Sequence, residues 1–226
     1  MAISLKSTSD SHLSGVKILV YGPSGSGKTT LIKTLPAPVI LSAEAGLLSL
    51  ADSSIPYIEI ATMRALTEAY QWLLESNEAK QFESVALDSI SEIGEVVLAA
   101  EKKASKDPRA AYGAMAEQMA ELIRAFRDLP NRHVYMSAKL DKQTDSQGRM
   151  LYSPSMPGQR TGQLLPYMFD EVLAMRVEQD ADGVVQRALM TATDGLWLAK
   201  DRSGKLEQWM APDLGAIINR ITGGAA

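Results

Sequence analysis

Residues 22–29 read Gly-Pro-Ser-Gly-Ser-Gly-Lys-Thr and match G-x-x-x-x-G-K-[ST] at every fixed position. An apolar, β-rich run (VKILVY, 16–21) enters this loop, and TTLIKTL, which reads as a helix stopped by Pro36, leaves it. A strand that delivers its end to a glycine loop and a helix is the opening unit of an α/β sheet. Glycines let the backbone wrap so that N–H groups face phosphate oxygens, and a helix N-terminus adds positive potential. The spacing therefore predicts a nucleoside triphosphate site formed by Gly22, Pro23, Ser24, Gly25, Ser26, Gly27, Lys28, Thr29 and Thr30. Lys28 would neutralise the outer phosphates, and the Thr29 hydroxyl would hold Mg2+ that otherwise keeps its waters.

The rest of the chain supplies the sheet. Residues 38–43 form an apolar run without polar alternation, suited to a strand covered on both faces. Residues 56–60, 82–88 and 133–138 read as further strands, and residues 63–76, 91–103 and 114–129 carry helical periodicity. A polar stretch, KKASKDPRAAYG, separates the last two helices, and residues 141–162, rich in Gly, Ser, Pro and Gln, read as a long functional loop. From Met168 the pattern changes to hairpins, with turns at Ala181-Asp182-Gly183 and Asp194-Gly195, and residues 214–221 close as a short helix. Strand–helix alternation followed by hairpins predicts an α/β fold with a mostly parallel central sheet flanked by helices and a C-terminal antiparallel extension. Residues 1–14, with five serines, read as a flexible lead, and 15–226 as one domain.

Composition narrows the function. The 226 residues contain no cysteine, which removes disulfides, thiolate zinc sites and a cysteine nucleophile. His12 and His133 are far apart and form no metal spacing. A net charge of −4 excludes a uniformly basic coat but not a local basic patch. No apolar run reaches the length of a membrane helix and the N-terminus is no secretory signal, so a soluble, cytoplasmic protein without a membrane partner is expected.

A magnesium-side acid should end a neighbouring parallel strand, and Asp88, closing Val85-Ala-Leu-Asp88, fits; the same residue is also good helix-capping chemistry. Hydrolysis further needs a carboxylate that orients or deprotonates water. Ser89 stands where many ATPases place a glutamate directly after the strand acid. Glu44, ending the 38–43 strand, is the candidate base, with Glu92, one turn into the next helix, as its rival.

With the P-loop, Ser42-Ala43-Glu44-Ala45 and Val85-Ala-Leu-Asp88-Ser89 in that order, the chain resembles the RecA-type recombinase core. Within that group it looks like the small phage-encoded core-only ATPases of AAA type associated with single-strand annealing and recombination. The likeness runs from about Val16 to Ile221 and takes in Tyr112-Gly113, residues 133–138, residues 154–158 and Ala199-Lys200-Asp201-Arg202-Ser203-Gly204-Lys205. It implies a RecA-like P-loop ATPase using ATP and Mg2+ in DNA recombination or repair, in the host cytoplasm if phage-encoded. It implies that the 133–138 strand is inserted between the P-loop and Asp88 strands. It also implies a homo-oligomer, ring or filament, whose subunits share sites, with an annealing or single-strand-binding protein as a partner. Where the family carries a γ-phosphate-sensing glutamine, this chain offers Ser137 and Lys139. Lys200 and Arg202 would be cations donated to a neighbour's phosphate; their Lys-Asp-Arg-Ser-Gly-Lys context is equally good solvated-turn composition.

For single-stranded DNA, residues 102–112 (Lys102, Lys103, Lys106, Arg109, with Tyr112) and 139–162 (Lys139, Lys142, Arg149, Arg160, with Tyr152) concentrate positive charge; each is also readable as a solvated face. Two other functions compete. A small nucleotide or metabolite kinase would use the same loop, but 141–162 holds only Arg149 and Arg160 for a lid. A GTPase would need Ala138-Lys139-Leu140-Asp141 to read guanine without the asparagine of N-K-x-D.

Overall fold

The computed structural model describes residues 15–44, 46–180 and 182–224, so the 1–14 lead, His12, Ala45 and Ala181 lie outside the described residues. Among the described residues, ten strands form one sheet. The parallel part is built from β1 (Lys17–Gly22), β2 (Pro38–Ser42), β3 (Tyr57–Glu59), β4 (Ser84–Asp88), β5 (His133–Thr144) and β7 (Glu171–Gln179). Along the sheet these run β7-β1-β5-β4-β2-β3, all parallel. β5 therefore stands between the P-loop strand and the Asp88 strand, as expected from the sequence.

Every residue of β1 and β4 is buried, so alternate side chains feed two separate cores. Leu19, Tyr21, Leu41, Val85 and Leu87 face α1 (Met63–Glu75), α2 (Ile90–Ala104) and α3 (Pro108–Arg127). Ile18, Val20, Ile40 and Ala86 face the segment after the P-loop and α5 (Leu214–Thr222). This double burial is why these strands read as continuous apolar runs.

The C-terminal part is only partly the expected antiparallel extension, because β7 itself joins β1 in parallel. β8 (Val185–Met190) then pairs antiparallel with β7, β10 (Trp209–Met210) with β8, and β9 (Lys200–Asp201) with the start of β7.

Three expectations are corrected. Residues 141–162 are not an irregular loop. β5 continues to Thr144, turns at Asp145–Gly148, and returns as β6 (Met150–Ser155), with α4 (Gln159–Met168) following. Lys139 pairs with Ser155 and Gln143 with Leu151, and the polar composition hides the strand period because much of the hairpin faces water. Second, TTLIKTL is not an α-helix but a five-residue 3-10 stretch, Thr30–Thr34. Leu35 is extended (φ −74°, ψ 144°), as the ring of the following Pro36 demands. Third, α3 begins at Pro108 rather than near 114: the Asp107 side chain caps it by accepting from the Arg109 N–H at 2.9 Å, and Pro108 occupies the first turn, where its missing N–H costs nothing.

Candidate functional site

β1 feeds the glycine loop. A Cβ on Gly22 would lie 3.0 Å from both the Cβ and the carbonyl of Met175, so β7 leaves room for no side chain there. Gly25 and Gly27 have φ of 73° and 103°, which only glycine adopts without strain. The loop is closed by Ser26 N–H donating to the Pro23 carbonyl and Leu31 N–H to that of Gly27. Lys28 folds back over it, its amine 2.9 Å from the carbonyls of Gly22 and Pro23. Burial pulls the Lys28 amine below its ordinary pKa, with Asp88 and Glu44 partly opposing. Beneath, the buried Tyr135 hydroxyl donates to the Lys28 carbonyl at 2.8 Å and fixes the loop from β5.

Thr29 donates its hydroxyl to Asp88 Oδ2 at 2.6 Å, while Ser137, within β5, donates to Oδ1. Asp88 is 4% exposed, and burial pushes its carboxyl above the usual range against the pull of those two hydroxyls. The Asp88–Ser89 peptide is cis. Ser89 serves two groups: its hydroxyl accepts from Glu92 N–H to cap α2, and donates to Glu44 Oε1 at 2.5 Å.

Glu44 and Asp88 thus sit side by side at the ends of β2 and β4. They share with Lys28 and Thr29 a cleft of about 630 Å³, also lined by Ser137, Lys139 and Lys142. Glu92 is drawn away: its carboxylate accepts from Lys139 Nζ at 2.6 Å.

The other expected residues scatter. Lys200 and Arg202 stand beside the start of β7, at the end of the strands opposite their own P-loop. Lys200 donates to the carbonyls of Phe169 (2.6 Å) and Pro166, and Arg202 pairs with Asp170 at 2.8 Å. In the 139–162 segment, Lys139 is paired with Glu92 and Arg149 with Asp145, and the Tyr152 ring stacks on Trp197 at 4.3 Å, so that face is taken. The Arg160 side chain lies outside the described set. In the 102–112 segment Lys102 lies 5.1 Å over the Tyr112 ring, which stays half-exposed.

Sequence reasoning missed Tyr135 and also Arg187, whose Nε donates to the Ser26 carbonyl at 3.2 Å from β8. No motif marks either residue.

The donor set fits a nucleoside triphosphate with magnesium. Two positive-φ glycines shape the cradle, the Ser26 hydroxyl is buried inside the loop without a partner, and a hydroxyl–carboxylate pair supplies hard oxygen ligands. Among the described residues no group of three or more His, Cys, Asp or Glu could hold a metal alone, and no helix is long and apolar enough to cross a membrane.

The family described as AAA domain matches residues 14–203. No curated protein matches. Solved structures that are similar include an ATPase of the type III secretion system of pathogenic bacteria: 14% identity, 72% of this chain and 51% of that one covered, TM-score 0.50. A KaiC-like protein from Pyrococcus horikoshii OT3 matches at 11% identity over 78% of each chain, TM-score 0.42. At 14% identity the likeness to the secretion ATPase is one of fold alone: an α/β sheet, mostly parallel and flanked by helices.

Proposed function

We propose that this chain, which belongs to the AAA-domain family, is a magnesium-dependent ATPase of RecA-like fold that acts on single-stranded DNA as a homo-oligomer. The observation that carries the hydrolytic reading is the convergence of Lys28, Thr29, Asp88 and Glu44 on one cleft from three separate places, the loop after β1 and the ends of β2 and β4.

In this reading the loop amides and Lys28 hold the phosphates, Lys28 exchanging two neutral carbonyls for anionic oxygens. Thr29 and Asp88 would hold magnesium, which when bound draws charge from the phosphate oxygens. Glu44, fixed by the Ser89 hydroxyl, orients a water and accepts its proton. Ser137 keeps Asp88 in place.

Recombination or repair, the oligomer, and an annealing or single-strand-binding partner rest on the sequence likeness to phage recombination ATPases, and single-stranded DNA also on the basic segment 102–112, since Lys139, Arg149 and Tyr152 of 139–162 are engaged within the fold. ATPase rate measured with and without single-stranded DNA, together with solution mass, tests the proposal. Stimulation that vanishes with rising salt, in a particle larger than one chain, is the expected result; a salt-insensitive monomer overturns the DNA and assembly reading.

The phosphotransferase alternative loses its candidate lid, since 141–162 is the β5–β6 hairpin and the start of α4. Phosphate released to water, rather than transferred to an acceptor, separates the two. A guanine reader is disfavoured as well: the Asp141 carboxylate accepts from Lys142 N–H and the Gln143 amide within its own hairpin.

A further inference from the structure

Arg187 lies on β8 directly opposite Val177 of β7. Side chains alternate along a strand, so it shares a face with Leu189, and that face packs into the core beneath the P-loop with Met175. The hairpin thus carries a guanidinium out over the loop. Its Nε donates to the Ser26 carbonyl at 3.2 Å, and its Cδ and Nε stand 3.7 Å from where a Cβ on Gly27 would be. Lys28 reaches back to Gly22 and Pro23, so the two cations bracket the loop from opposite ends.

The arginines around it are accounted for differently. Arg176 pairs with Glu178 and lies over Trp197, Arg202 pairs with Asp170, and Arg149 with Asp145. Among the described residues no carboxylate lies within ion-pair distance of Arg187. A single bond to a neutral carbonyl engages one of its five N–H donors and leaves the rest of the exposed guanidinium to solvent. A planar fork of donors beside a phosphate cradle suits bidentate phosphate contact.

We propose that Arg187 is a second phosphate-binding cation of this site, turning from the Ser26 carbonyl to the phosphate chain of the bound nucleotide on its Gly27 side. This rests on the nucleotide reading above. Lys139, at the other side of the cleft, is already paired with Glu92, whereas Arg187 has no carboxylate partner among the described residues and adds positive charge from the C-terminal hairpin, which couples nucleotide occupancy to β7 and β8.

The test is titration calorimetry of the full chain and its Arg187→Gln and Arg187→Lys variants with Mg–ATP, inorganic tripolyphosphate and adenosine. Glutamine keeps a donor for the Ser26 carbonyl but removes the charge. Arg187→Gln should weaken Mg–ATP and tripolyphosphate by about 10- to 100-fold, the span expected for a hydrogen bond to a charged group. Adenosine affinity and Tm should not change, and Arg187→Lys should recover part of the loss. Unchanged Mg–ATP affinity in Arg187→Gln overturns the proposal. So does an equal loss for ATP and adenosine, which would assign the side chain to the base. Lost retention on single-stranded DNA with intact ATP affinity also overturns it. If the wild-type chain itself shows no saturable Mg–ATP binding, the nucleotide reading falls with it, an outcome distinct from failure of Arg187 alone.

Discussion

Thr29 Oγ1 and Asp88 Oδ2, 59 residues apart in sequence, meet at 2.6 Å where β1 and β4 end. The pair is held by Ser137 from the strand between them. Burial raises the Asp88 pKa, so in the folded chain the charged form is disfavoured. A group with a raised folded pKa costs stability once pH exceeds its unfolded value. Asp88→Asn removes that cost while keeping an oxygen acceptor. The variant should hold or gain thermal stability at neutral pH and lose ATPase turnover by at least about 100-fold. A variant that unfolds early would contradict the desolvation cost, and one that turns over normally would contradict the metal-side assignment.

Glu44 and Glu92 are separated by their partners. Ser89 presents Glu44 to the cleft, whereas Lys139 holds Glu92 at its rim. Glu44→Gln preserves the acceptor for Ser89, so nucleotide affinity should stay within a few-fold while turnover falls by about 10²–10⁴. Glu92→Gln breaks an exposed ion pair worth at most about 1 kcal/mol and should leave turnover nearly intact. The reverse pattern in single-turnover assays would make Glu92 the base.

Glu171 is fully buried at the start of β7, paired in register with Asp201 of β9, and its pKa is pushed up to about 8, chiefly by burial and then by Asp201. Asp170 adds to the rise, while the Ser203 N–H opposes it. The folded chain therefore holds a proton on Glu171 that the unfolded chain releases near its ordinary value of 4.5. Stability should decline as pH rises from about 4.5 to about 8 and level off above. Glu171→Gln should flatten that decline in a series of urea melts. If the two chains give parallel pH profiles, the raised Glu171 pKa is absent.

How much of this was written in the sequence follows from what kind of signal each feature leaves. The loop at 22–29 is local, since its function needs fixed residue types at fixed spacing. β1, β2 and β4 are legible because burial on both faces requires unbroken apolar runs. Asp88 and Glu44 follow from their positions at strand ends. The β5–β6 hairpin was hidden because solvated strands need no apolar period, and the short turn after Thr29 because Pro36 acts on its neighbour rather than on the pattern before it. Tyr135 and Arg187 were invisible for a different reason. Each reaches the loop from a strand more than 100 residues away, by a register that only the folded sheet defines.

Lys200 and Arg202 are two residues apart in sequence, but their surroundings predict different behaviour. The Lys200 amine bonds the carbonyls of Pro166 and Phe169 and so ties α4 to β9. Lys200→Ala strands two carbonyls and should cost about 1–3 kcal/mol of stability. Arg202 makes an exposed pair with Asp170, so Arg202→Ala should barely move Tm. Both face away from their own P-loop, so a role in hydrolysis requires a neighbour. Mixing makes that testable: Lys28→Ala subunits lack a site but carry Arg202, while Arg202→Ala subunits carry a site but lack the cation. Each alone should be inactive, and the mixture should regain activity where an Arg202→Ala site meets a Lys28→Ala neighbour. Full activity of Arg202→Ala alone would reduce the residue to a solvated turn, and a mixture as dead as its parts would mean that no subunit completes another.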